Sequence, residues 1–121
     1  MGRHSNGKQS KVYIGQRPAD DAIGDCRVVV LENGKEKPLH HVKHHSDAFE
    51  WGYGGSGPAD LALSILADHL GERPTEKQLR EGRCLCWQFH QRFKWHFIVR
   101  ADQASFTLTS RQIDNWLKSA L

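Results

Sequence analysis

A chain of 121 residues, 38% hydrophobic and 26% charged, is expected to form one domain with a modest core that needs no disulfide or structural metal. No apolar run approaches the roughly 18 residues of a membrane span, and residues 1–10 lack the apolar segment of a signal peptide, which points to a soluble cytoplasmic protein with no membrane partner. The net charge of +3 is unevenly spread: residues 1–17 hold Arg3, Lys8, Lys11 and Arg17 and no acid, and residues 73–100 hold Arg73, Lys77, Arg80, Arg83, Arg92, Lys94 and Arg100 against Glu76 and Glu81. Brought together, these basic ends would face an anionic partner; kept apart, they are an ordinary solvated surface. Cys26, Cys84 and Cys86, an odd number without an export signal, read as free thiols filling core space.

Residues 1–10 read as a disordered polar tail, leaving residues 11–121 as a single α+β domain. Lys11-Val12-Tyr13-Ile14-Gly15 alternates as a short strand does and is stopped by Gln16-Arg17-Pro18. After an acidic turn over residues 20–25, the segment from Cys26 to Glu32 contains Val28-Val29-Val30 and is the best strand in the chain. Asn33-Gly34 supplies the positive-φ pair of a tight hairpin, and the return strand from Lys35 to about His40 is pushed to a sheet edge by Pro38. Residues 41–48 read as a loop or a ragged strand end.

From Pro58, taken as the first helical residue, Leu61, Ala62, Ile65, Leu66, Ala67 and Leu70 recur at helical spacing, with Gly71 as the C′ stop. Thr75 and Gln78 form a capping-box pattern that opens a helical turn ending near Gly82. Residues 83–100 are ambiguous: Leu85, Trp87, Phe89, Phe93, Trp95, Phe97 and Val99 alternate like a strand, yet Leu85, Phe89, Phe93 and Phe97 share one helical face with Cys86 beside them. So long a strand is out of proportion in a small domain, and a helix is expected. Ser105-Phe106-Thr107-Leu108 is a short strand, and Thr109 with Gln112 caps a final helix that turns Ile113, Trp116 and Leu117 inward. The expected architecture is a small, mostly antiparallel sheet packed against about three helices.

The segment from Phe49 to Asp60 concentrates the functional signal, with Trp51 and Tyr53 followed by Gly54-Gly55-Ser56-Gly57 at the head of the first helix. Unpaired amides and the helix dipole there suit phosphate or carboxylate. No lysine follows the glycines, so this is not a Walker loop, and the spacing of a dinucleotide fingerprint is missing. The plainer reading is a tight turn whose glycines let the chain pack on its aromatic neighbours. Asp60, expected in the first turn, would repel bare phosphate, so a ligand with a base or sugar hydroxyl facing Asp60 fits better. Trp51 and Tyr53 would stack such a base or else serve as core aromatics. Arg17 and Lys94 are the candidate cations, with an internal salt bridge to Glu50 or Asp60 as the alternative for each.

His40, His41, His44 and His45 come from one element, and Cys84 and Cys86 would project about 200° apart on a helix, so no metal site and no cofactor are expected. Ser56 fails the Gly-x-Ser-x-Gly pattern at Pro58. His45 would act as a base only if the fold brings it near a substrate.

Tyr13-Ile14-Gly15-Gln16-Arg17, His45-Ser46, the run from Phe49 to Ala59, Gln91-Arg92-Phe93-Lys94, and Phe106-Thr107-Leu108-Thr109 with Ile113 and Trp116-Leu117 together resemble an uncharacterised family of small bacterial, archaeal and phage proteins, domain of unknown function 6166. The resemblance covers about residues 12–120. It implies a helix through Phe93 and Lys94 and a setting on phages and mobile elements, and it implies no activity. The chain departs from the family pattern in its histidine-rich residues 40–45 and in Phe106, where tryptophan is usual.

These observations lead first to a non-catalytic binding protein for a small anionic ligand, a nucleotide above all, held by Arg17, Trp51, Tyr53, Gly54, Gly55, Ser56, Gly57, Asp60 and Lys94. The rival expectation is a phage or mobile-element protein that inhibits a host defence complex through protein or nucleic-acid contacts. A third is a hydrolase of a phosphorylated small molecule.

Overall fold

A computed structural model describes residues 11–18, 26–43 and 45–120. The expected tail, the acidic turn at residues 20–25 and His44 lie outside the described residues. Four strands form one antiparallel sheet in the order β3-β2-β1-β4, with β1 at Val12–Gln16, β2 at Arg27–Glu32, β3 at Lys35–Pro38 and β4 at Ser105–Thr109. β1 pairs Val12 with Leu31 of β2 on one side and with Thr109 of β4 on the other. Asn33 (φ 55°) and Gly34 (φ 77°) close the β2–β3 hairpin as expected, since both adopt the left-handed conformation that its tight turn requires. β3 is the exposed edge strand and ends at Pro38, two residues short of His40.

Alternation turns Tyr13, Val28, Val30 and Leu108 into the core. Gly15 is required by packing: a Cβ there would lie 2.2 Å from the Phe106 ring, which crosses β1 to meet Trp51 edge-on at a centroid distance of 4.9 Å. The sheet thereby reaches the aromatic end of the candidate site.

Helix α1, Ser56–Leu70, is buried on nearly every side from Asp60 to Ala67, as expected of a central helix. Tyr13 donates its hydroxyl to Asp68 Oδ2 at 2.7 Å, tying β1 to α1, while burial and that carboxylate push the phenol well above its ordinary range. The helix begins two residues before the expected Pro58. Pro58, third in the helix, is still tolerated because amides of the first turn have no intrahelical acceptor. Asp60 is consequently outside the first turn, which contains no acid, correcting the expectation that it sits there.

Helix α2, Glu76–Glu81, opens on the Thr75–Gln78 capping box and stops at Gly82 (φ 66°). Glu72 then accepts from the amides of Leu85 (3.1 Å) and Cys86 (2.8 Å), placing a carboxylate at the head of α3, Leu85–Phe93. α3 runs directly into a π-helical turn, Lys94–Ile98, so residues 85–98 are helical as expected. Its buried face differs from the apolar pattern: Cys86, His90, Phe93, Lys94 and Ile98 point inward, while Leu85 is 41% exposed. Helix α4, Ser110–Ala120, has the Thr109–Gln112 cap in both directions (2.9 and 3.1 Å) and buries Ile113 and Leu117. Trp116 is half-buried, against Phe93 at 5.5 Å. The small antiparallel sheet with its helices is the α+β domain expected, and α1 packs against α3 and the π-helical turn.

Candidate functional site

Between β3 and α1 the chain crosses the surface of α1 and is fastened there by polar groups. Asp60, 1% exposed, accepts from His41 Nε2 (3.0 Å), His45 Nδ1 (3.0 Å) and the Ser46 amide (2.9 Å). A carboxylate has no proton to give, so both imidazoles are donors in these bonds and Asp60 sets their orientation. His41 also lies against the Phe49 ring at 4.3 Å, and the Val42 amide donates to Ser64 Oγ at 3.0 Å. Buried polar groups on α1 thus hold His41, Val42, His45 and Ser46 by a series of directed bonds.

A second ionic pair secures the end of this loop. Arg17 forks onto Glu50, with Nη2 at 2.7 Å from Oε1 and Nη1 at 3.1 Å from Oε2. Its Nε donates to the Gln103 carbonyl at 2.8 Å, and its guanidinium lies 5.1 Å from the Trp51 ring centroid. Burial pushes the Glu50 carboxyl up, but the hydrogen bond and charge of Arg17, helped by Cys26 and the Trp51 backbone, outweigh it and hold the group below its ordinary value. Glu50 in turn packs on Gly57, where a Cβ would lie 2.9 Å from that of Glu50.

The head of α1 is open on its other side. Gly55 precedes the helix at φ 157°, ψ −172°, a conformation close to glycine-only, and its side chain-free surface faces the Tyr53 ring at 3.3 Å from an added Cβ. Gly54 faces Trp95 in the same way at 3.1 Å. Both rings are exposed, Tyr53 at 46% and Trp95 at 57%. The first bond of the ladder runs from the Ala59 amide to the Gly55 carbonyl, so the amides of Ser56 and Gly57 precede it.

Beneath Trp95 lies Lys94. It is 8% exposed, its Nζ stands 4.8 Å from the Trp95 ring centroid, and among the described residues no carboxylate pairs with it. His90, one helical turn earlier and also buried, donates from Nδ1 to the Trp87 carbonyl at 2.6 Å, which leaves Nε2 as an acceptor facing the Gln91 amide nitrogen at 3.3 Å. Burial holds the His90 imidazole below its usual range; the Trp87 carbonyl opposes this, and the nearby Lys94 and His45 reinforce it. Tyr53 and Trp95 thus flank the glycines that lead into α1, and the buried ammonium lies against the Trp95 ring.

Of the residues expected at a site, Tyr53, Gly54, Gly55, Ser56 and Lys94 come together here. Trp51 is fully buried, with its indole donating to the Gln103 carbonyl at 3.1 Å, so it forms the wall rather than a stacking face. Arg17 is occupied by Glu50, Gly57 is buried beneath that pair, and Asp60 faces residues 41–46 rather than the helix head. Trp95 was missed by sequence reasoning, although its position beside Lys94 was the available signal. Among the described residues no group of three histidine, cysteine or acidic side chains is placed to hold a metal ion, and no helix is long and apolar enough to cross a membrane. No curated protein and no solved structure matches the chain. A family profile does: the family of unknown function DUF6166 matches residues 13–119, nearly the whole domain, and the chain belongs to that family.

Proposed function

We propose that the protein binds a small anionic ligand carrying a flat ring, a nucleotide first of all, at the open head of α1. The carrying observation is Lys94, a cation nine-tenths buried with no carboxylate partner among the described residues. Burying an uncompensated ammonium is costly, and an arriving phosphate removes that cost while accepting from the Ser56 amide. Tyr53 and Trp95 offer the ring its stacking faces, at about 1–3 kcal/mol for each stacked base. Arg17 contributes indirectly by fixing Glu50 and the loop. A cytoplasmic setting fits this reading, since nucleotides are abundant there and Cys26, Cys84 and Cys86 are thiols rather than disulfides.

A panel of mono-, di- and cyclic nucleotides tests the reading by thermal shift and calorimetry. At least one member is expected to stabilise the protein, with Lys94→Met losing roughly tenfold or more in affinity, as removal of a charge-assisted hydrogen bond implies. No shift from any member overturns it.

The His45–Asp60 pair favours a second reading. Asp60 holds Nδ1 of a histidine that is 45% exposed, leaving Nε2 able to take a proton from a water attacking a phosphoryl group. Phosphate release from the same panel, abolished in His45→Gln, would favour a hydrolase over a simple binder.

A further inference from the structure

Beside Trp95, α3, the π-helical turn and α4 border an open groove of about 490 Å³, lined by Gln91, Arg92, Trp95, His96, Arg100 and Trp116 together with the end of α4. We propose that this groove binds single-stranded nucleic acid, with Trp95 as its stacking face and Arg92 and Arg100 on the phosphates. The groove is separate from the nucleotide site at the head of α1, although Trp95 borders both.

The charge is one-sided. No acidic residue occurs from Gly82 to Ala101, a stretch that carries Arg83, Arg92, Lys94 and Arg100 with His90 and His96, and no aspartate or glutamate lines the groove. Arg100 is exposed, with no carboxylate partner among the described residues. Arg92 is directed toward the end of α4, its Nη2 donating to the Ala120 carbonyl at 3.4 Å while the guanidinium lies 5.2 Å from the Phe89 ring. Trp116 forms a fixed floor, crossed edge-on by Phe89 and Phe93 and overlaid by His96 at 6.0 Å. Trp95 is held differently, with Lys94 beneath it and more than half its surface open to solvent.

A single strand supplies what this surface lacks. Each of its repeats brings an unpaired flat ring and a phosphate, matching an exposed indole set among arginines. Duplex bases are already stacked on one another and cannot cover Trp95. An acidic peptide would satisfy the arginines and leave the indole in water. The chemistry is sequence-tolerant, because every base has a π-face and every phosphate the same charge.

Fluorescence anisotropy with labelled oligothymidylate and oligouridylate of about 15 nucleotides, within the range of known single-strand sites, provides the test. Binding is expected at low salt and should weaken as salt rises. Trp95→Ala should weaken it about tenfold, with partial recovery in Trp95→Phe. Arg92→Glu and Arg100→Glu should each weaken it and lower the slope of log K against log salt by about 0.7, the increment for one lost phosphate contact on a single strand. Duplex DNA and polyglutamate of similar length should compete poorly. Arg92 and Arg100 are exposed, so an unchanged unfolding midpoint is expected in their variants, while Trp95→Phe keeps a ring over Lys94 as the folded control for Trp95→Ala. Failure to bind either oligonucleotide at low salt overturns the proposal, as does binding that survives all three substitutions or is displaced equally well by polyglutamate. Mononucleotide shifts lost in Lys94→Met but retained in Arg100→Glu separate this groove from the α1 site.

Discussion

Nδ1 of His45 and Oδ1 of Asp60 lie 3.0 Å apart, joining a half-exposed loop residue to a carboxylate that is 1% exposed in the second turn of α1. His41 and the Ser46 amide complete the same acceptor, so one side chain anchors His41, His45 and Ser46 together. Asp60→Asn replaces an oxygen that accepts with an NH2 that faces donors. The substitution is expected to cost about 2 kcal/mol in urea unfolding and to speed hydrogen exchange at Ser46. Unchanged exchange there would mean that the loop is held by other contacts.

His90 gives stability a pH dependence with a definite sign. Its folded pKa is lower than the ordinary 6.5 because burial opposes the charged form, with Lys94 and His45 acting in the same direction. The unfolded chain therefore binds the proton more readily. The contribution is full above about pH 6.5 and is lost as pH falls through that value toward the lower folded one. Urea midpoints taken across this interval should fall with pH in the unmodified protein and fall less in His90→Gln. Equal slopes in the two proteins would exclude His90 as the source.

Lys94→Met should separate stability from binding. Replacing an unpaired buried ammonium with a flexible apolar chain of similar length is expected to raise the stability of the ligand-free protein by about 1 kcal/mol while removing the nucleotide response. A loss of stability in this variant would show that the ammonium already has an adequate partner in the free protein.

Gly15 and Phe106 should be coupled. A methyl group at Gly15 would meet the Phe106 ring at 2.2 Å, so Gly15→Ala is expected to cost about 2 kcal/mol through overpacking. Phe106→Leu removes the obstructing ring. In a double-mutant cycle by chemical denaturation, Gly15→Ala should be much less damaging in the Phe106→Leu background. Additive effects would place the strain elsewhere.

Features written in neighbouring residues were legible before the structure. The Asn33-Gly34 hairpin and the Thr75 and Thr109 caps each depend on residues within one turn, and all formed as expected. The buried face of α3 was not legible, because counting apolar side chains passes over His90 and Lys94, two of the residues it buries. The role of Asp60 was hidden for another reason. Its partners lie 14 to 19 residues away, and the turn at Gly55 moved the helix start and took Asp60 out of the first turn. The pairing of Arg17 with Glu50 was one of two internal salt bridges that the sequence offered, and it was the choice of Glu50 over Asp60, across 33 residues, that no local pattern encodes.

The Val99 amide reaches back five residues to the Lys94 carbonyl at 2.9 Å, making the turn after α3 wider than an α-helical one. Such a turn accommodates one extra residue, and here it leaves Lys94 facing inward while its neighbour Trp95 faces water. Removing a single residue from this turn would let an ordinary α-helical turn close in its place. The wide turn is in that sense an insertion that the helix has absorbed, one residue more than an ordinary turn would hold.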